Sequence, residues 1–288
     1  PYDVVNTEEA RAAAEGSPLS FFHISRAEID LPTDTDPYSN DVYKTAAQNL
    51  KKLEASGAVI RDPSPCFYVY RITANGNAQT GIAFSASVDA YNCKRIKKHE
   101  LTRPSKEDDR VRQIEAVNAI TGPVLTVHRA RADLAALLVR ASSRAPDAVA
   151  ANVDGASHEL WVVSDEDAVA TIGDAINSMD AIYIADGHHR SAAGCRVAER
   201  RRHNNPVHKG TEAYNGFLAI SFPDDQVTIL DYNRVVKGLD NFDAEAFKSA
   251  LSETYRIFPA PNPVRPESAG TFGMYLDCLL YTSDAADE

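Results

Sequence analysis

A chain of 288 residues, 44% apolar and 25% charged, has ordinary globular composition and can bury one large core or two modest ones. Its 30 basic against 41 acidic residues give a formal charge of −11, so its overall field does not draw it to nucleic acid or to an anionic membrane. Four widely spaced cysteines, Cys66, Cys93, Cys195 and Cys278, form no CxxC pair, which argues against a zinc framework or a disulfide scaffold.

Reduced thiols and the lack of any apolar run of about 18 residues point to a cytoplasmic chain with no membrane span. The start at Pro1 carries no initiating Met and no charged stretch ahead of an apolar one, which reads as a trimmed end without a signal peptide. Asn6 to Glu9 is a capping box that opens a short Ala-rich helix ending at Gly16. Leu19 to Ile24 reads as a buried strand, and the Pro- and Asp-rich stretch 30–40 as a loop. Val42, Ala46, Leu50 and Leu53 then form a helical stripe that Gly57 ends. Cys66 to Ile72 and Thr80 to Ala90 are β-rich runs joined across Asn75-Gly76, a hairpin signal with a loop that reads as longer than two residues.

Ser105 is the expected cap of a helix whose first turn carries Glu107, Asp108 and Asp109. Pro123 to His128 and Glu159 to Val163 read as strands, and Asp165 to Met179 as a helix. Ala181 to Ala185 is a short apolar strand running into Asp186-Gly187, followed by an Ala-rich helix that ends near Arg200. Tyr214 to Phe222 and Val227 to Tyr232 are expected to form a second hairpin, and Asp243 to Tyr255 a helix before a Pro-rich passage. Residues 279–288 continue no period, resemble translated sequencing-adaptor sequence, and are expected to be a non-native tail.

The segment Asp186-Gly187-His188-His189-Arg190 carries the most chemistry. A strand puts Asp186 at a sheet edge, Gly187 removes the Cβ that would keep a ligand from the backbone, and the helix start aims N–H groups and dipole at an anion. His188, His189 and Arg190 add donors suited to phosphate, and Asp186 could hold Mg²⁺ or a substrate ammonium. The blander reading makes Asp186 a buried cap of its own helix and the histidines space fillers. His99-Glu100 lacks the second His that a zincin needs, since position 103 is Arg, so Glu100 stands either as a general base or as part of a solvated turn. His23 and Arg26, like Tyr2 and Asp3, end apolar runs and could line a cleft; a satisfied core His23 is the alternative. No GxxxxGK[ST] loop, GxGxxG turn after a strand or GxSxG elbow is present.

Several of these motifs occur in the usual order of a known family. They are Pro1-Tyr2-Asp3-Val4-Val5, Ser20-Phe21-Phe22-His23 with Arg26, Asp62-Pro63 ahead of Tyr68-Val69-Tyr70, and Thr80-Gly81. His99-Glu100-Leu101-Thr102 with Lys106 and Asp109-Arg110 follows, and then Tyr183 through Arg190. Over residues 1 to about 240 the chain resembles the bacterial family called domain of unknown function 1015, whose members are typically longer.

The layout from the His-Glu segment to the Asp-Gly-His turn is also similar to that of the free serine kinases of the ParB/sulfiredoxin-like superfamily. That resemblance implies a mixed α/β fold, with an N-terminal α/β portion over 1–90 and a ParB/sulfiredoxin-like core over 91–278. It implies transfer of phosphate to L-serine from ATP, ADP or pyrophosphate with Mg²⁺. Glu100 would be the base and Gly187, His188, His189 and Arg190 the phosphate cradle. Asp186 would take the serine ammonium or the metal, with Thr102, Tyr2, Asp3, His23 and Arg26 on the substrate side. His99, Lys106, Asp109 and Arg110 are further candidates. The expected partner is a small molecule, not a membrane or nucleic acid. A ParB-like regulator binding a nucleotide or nucleic acid is the alternative, against which the negative charge argues. A sulfiredoxin-like enzyme would need a Cys where this chain has His188-His189.

Overall fold

The computed structural model describes residues 4–153, 155–230, 233–237, 243–266, 268–276 and 279–285. Two compact units divide the chain, residues 1–227 and 228–288. The expected boundary near residue 90 is not where this division falls, because strands from both sides of it share one sheet.

In chain order the first unit contains α1 (Thr7–Ala14), α2 (Phe22–Ser25), α3 (Asn40–Ala55), β1 (Phe67–Ala74), β2 (Asn77–Ser87), α4 (Val88–Asn92), β3 (Ile96–Lys97) and α5 (Pro104–Val117). It continues with β4 (Val124–His128), α6 (Ala132–Ala141), β5 (Ala148–Val153), β6 (Ala156–Val163), α7 (Glu166–Asn177), β7 (Ile182–Asp186), α8 (His188–His203) and β8 (Gly216–Pro223). The result is mixed α/β. Its eight strands form one sheet in the order β3-β7-β4-β8-β2-β1-β6-β5. β4 runs parallel to β8 and antiparallel to β7, with a register shift between Leu125 and Thr126 where Leu125 faces Asp186.

The expected capping box is present: Asn6 accepts from the Glu9 N–H at 2.9 Å while Glu9 takes the Asn6 N–H at 2.8 Å. The expected strand over Leu19 to Ile24 is instead the short helix α2. Its backbone closes local bonds, Ser25 N–H to the Phe21 carbonyl and Arg26 N–H to the Phe22 carbonyl, so no strand edge is needed. The β1–β2 hairpin falls where expected, but its loop is the two residues Asn75 and Gly76. Both are left-handed, at φ 51° and 78°, which is the geometry whose twist matches paired strands.

α5 begins one residue before the expected cap. Arg103 is its N-cap and Pro104 its first residue, where a fixed φ and a missing N–H cost nothing. β8 does not form a hairpin with Val227 to Tyr232: it is bonded on both edges, to β2 and β4, and 227–230 have no strand structure. Asp231 and Tyr232 lie outside the described residues.

The main core lies against the sheet, where Val69, Ile82, Trp161, Ile184 and Phe217 meet Leu134 of α6, Ile172 of α7 and Ala198 of α8. A second cluster joins Val111 and Ile114 of α5 to Ala193 and Val197 of α8. α8 therefore lies between sheet and α5, and this fixes its N-terminus in space. A third cluster binds α3 to α5 and to Ile24 of α2. Among the described residues no helix is long and apolar enough to cross a membrane.

The second unit contains α9 (Ala244–Ser252), capped by Asp243, and the strands β9 (Tyr255–Ala260), β10 (Thr271–Leu276) and β11 (Leu279–Ala285). These pair antiparallel in the order β10-β11-β9. The strands after the helix carried no signal in the Pro-rich passage, and β11, within the stretch expected to be a non-native tail, bonds to both neighbours.

Candidate functional site at the Asp186–Arg190 turn

β7 delivers Asp186 to the sheet edge and Gly187 turns the chain into α8. Gly187 has φ 93°, and a Cβ there would lie 3.1 Å from the Arg190 Nε and 3.2 Å from the Val124 Cα. Only glycine fits both demands. No side chain caps α8, and among the described residues the backbone N–H groups of His188, His189 and Arg190 have no protein acceptor. Three N–H groups and the positive end of a 16-residue helix thus converge at the turn.

The segment 99–103 lies directly over it. His188 is only 3% exposed, with the His99 ring edge-on at 4.5 Å. The His99 N–H donates to His188 Nε2 at 3.5 Å, which leaves the proton on Nδ1, 3.6 Å from Glu100 Oε2. Burial, and then the neighbouring His99, hold the His188 pKa below the usual imidazole value against the opposing pull of Glu100 and Asp186. The ring is therefore neutral near pH 7, and it directs an N–H at the carboxylate of Glu100, which is 61% exposed. His189 Nε2 accepts the Arg103 N–H at 3.1 Å. Arg190 spans the Asp186 carboxylate and the Pro123 carbonyl. A cavity of about 280 Å³ opens beside Arg190, lined by Phe21, Phe22, Arg110, Gln113 and Ile120.

The family model described as Protein of unknown function (DUF1015) matches residues 1–287. The chain belongs to that family. No curated protein and no solved structure matches it.

Family membership bears out the resemblance to domain of unknown function 1015 drawn from motif order, and the fold shows where those motifs go. His99, Glu100, Asp186, His188, His189 and Arg190 are brought together. The side chains expected to form a cradle are partly engaged: both histidines accept loop N–H groups through Nε2 and Arg190 is paired with Asp186, while the backbone N–H groups of the turn face no protein acceptor among the described residues. Thr102 bonds Glu107, which with Asp108 holds Arg196 of α8 at 3.1 and 2.6 Å, so Thr102 helps to anchor α5. Lys106 is exposed. Asp109 accepts from the Tyr43 hydroxyl at 2.7 Å and pairs with Arg110 at 2.9 Å, tying α3 to α5.

His23 and Arg26 do not reach the turn. His23 Nδ1 lies 2.8 Å from Asp30, and Arg26 Nε lies 3.0 Å from Glu28 in an approach too oblique for a hydrogen bond. Tyr2 and Asp3 lie outside the described residues. From the N-terminal motif Ser20, Phe21 and Phe22 line the cavity, and Phe21 remains 42% exposed. The aromatic pair was the available signal, masked by its reading as a core strand. Gln113 and Arg103 gave none. Among the described residues no three His, Cys, Asp or Glu side chains are grouped to hold a metal on protein ligands alone.

Proposed function

We propose that this chain is a small-molecule phosphotransferase acting on a free alcohol, with L-serine as acceptor and ATP, ADP or pyrophosphate as donor. The observation that carries the reading is the Glu100 carboxylate 3.6 Å from a buried His188 whose own helix start presents unpaired N–H groups. A proton acceptor and an anion site then adjoin, which is what phosphoryl transfer asks of a protein. The likeness to the serine kinases of the ParB/sulfiredoxin-like superfamily supports the same assignment, including a core of that type, and intracellular donors fit a cytoplasmic location.

In this reading the N–H groups of His188, His189 and Arg190 hold the transferring phosphoryl group in line with the acceptor. The serine oxygen forms the new P–O bond as the donor's bridging P–O bond breaks. The electron pair leaves with ADP, AMP or phosphate, and the hydroxyl proton passes to Glu100. His188 N–H keeps Glu100 oriented. Asp186 binds the acceptor ammonium or contributes one carboxylate to Mg²⁺, a cation that takes most of its oxygens from phosphates and water. Mg²⁺ would neutralise charge on the donor phosphates.

The test is a donor–acceptor screen read by ³¹P NMR, with Glu100→Gln as the decisive variant. Removing a general base costs about 10²–10⁴-fold in rate. The exposure of Glu100 predicts an unchanged melting curve. A variant as active as wild type, or a wild type that transfers phosphate from none of the donors, would sink the proposal.

A further inference from the structure

At the other end of β4 from the Asp186 turn lies a second cavity, of about 340 Å³. Its floor is His128, the last residue of β4 and only 2% exposed. His128 Nδ1 is 2.8 Å from the Ser221 hydroxyl, while Nε2 has no protein partner among the described residues. Two guanidinium groups also line the space. Arg71 is set over Trp161 at 4.8 Å and bonded to Thr80 at 3.0 Å and Ser142 at 3.1 Å. Arg131 is held by Ser178 at 2.9 Å and Asp133 at 2.5 Å. Both are fixed in place before any ligand arrives, and their carboxylate partners Glu159 and Asp133 lie outside the lining. Asp225 is the one acidic residue in it.

We propose that this cavity is a binding site for a small oxyanion, met by His128 Nε2 and the guanidinium groups of Arg71 and Arg131. It is distinct from the turn. Leu125 faces Asp186 and His128 ends the same strand, so about 10 Å of β4 separates the two. An anion held here is too far from Glu100 to be the transferring group, and the site acts as an effector or anchoring pocket. The assignment stands whether or not the chain is a kinase.

The test uses the full chain labelled with ¹⁵N-histidine and titrated with inorganic phosphate and, in a second arm, acetate, each against chloride at matched ionic strength. His128 ring signals are assigned by their loss in His128→Gln, and His188 and His189 signals report the turn separately. Either anion should move the His128 signals saturably while chloride does not. Ala135→Glu puts a carboxylate into the cavity from an exposed position on α6 and should weaken that response at least about tenfold, while Ala135→Gln leaves it intact. Far-ultraviolet circular dichroism confirms the fold of each variant. A His128 that ignores both anions, that responds equally to chloride, or that responds equally in Ala135→Glu overturns the proposal.

Discussion

Gly187→Ala separates two costs that the turn imposes. The first is conformational: φ is 93°, and placing an L side chain in the left-handed region costs about 1 kcal/mol. The second is contact. The new Cβ would lie 3.2 Å from the Val124 Cα, and backbone at the centre of a sheet cannot move aside as the Arg190 side chain can. That adds roughly 1–2 kcal/mol. Gly57→Ala is the internal control, because φ there is 75° and nothing lies within 4 Å of the added carbon. Melting followed by Trp161 fluorescence reports the first unit, since the chain has 1 tryptophan and Trp161 is buried there. For a unit of this size each kcal/mol moves the midpoint by about 2–4 °C. Gly57→Ala should lower it by about 2–4 °C and Gly187→Ala by about 4–12 °C. Equal losses in the two variants would show that the Val124 contact is not felt, and with it that the turn is looser than described.

Acid should destabilise the first unit before its carboxylates titrate. Burial holds both His128 and His188 below the usual imidazole pKa, so the unfolded chain binds protons near pH 6.5 that the native chain refuses. Stability is therefore full above about pH 6.5 and falls as pH drops from there towards 5, with a shallower fall in His128→Gln; a melting midpoint flat across that window contradicts the assignment. Thiol chemistry should be selective: Cys93 is exposed, while burial pushes the Cys195 thiol up to about 12. An aromatic disulfide reagent should label Cys93 in the native chain and Cys195 only in denaturant, and equal native rates would refute the burial. Tyr43→Phe removes the hydroxyl that Asp109 accepts and should cost about 1 kcal/mol in urea unfolding, with no change in transfer activity.

What the amino-acid sequence disclosed was local. The apolar run 182–185, the glycine and the following helix were readable because each signal falls within one element. So was the position of the Asn75-Gly76 turn. Misreadings came where partners are distant. Phe21 and Phe22 are apolar because they border a cavity, and a six-residue window cannot tell that from a strand. The two-residue β3 is too short to carry a period. Val227 to Tyr232 was paired with Tyr214 to Phe222 because neighbours in sequence usually pair, whereas β2 and β4 had already filled both edges of β8. At the site, Glu100 and the turn are both readable as segments, and the fold sets them side by side. That their side chains meet follows from the parallel pairing of β3 with β7, which no local pattern encodes. Thr102, Asp109, His23 and Arg26 have the chemistry of a ligand site but are occupied by protein partners, and residue type alone does not reveal that.

The position of β4 has a consequence for how the molecule is made. β4 is flanked by β7 and β8, strands that leave the ribosome some sixty and ninety residues after it. The β1–β2 hairpin can close as soon as it emerges, but the Asp186 turn has no settled floor until residue 223 is out. During synthesis, chain lacking β8 leaves β4 with an unsatisfied edge and the α8 start without its seat. The nascent polypeptide therefore completes the Asp186 turn only after β8 has emerged, and a chain stalled before β8 should be open to chaperones and proteases at that corner.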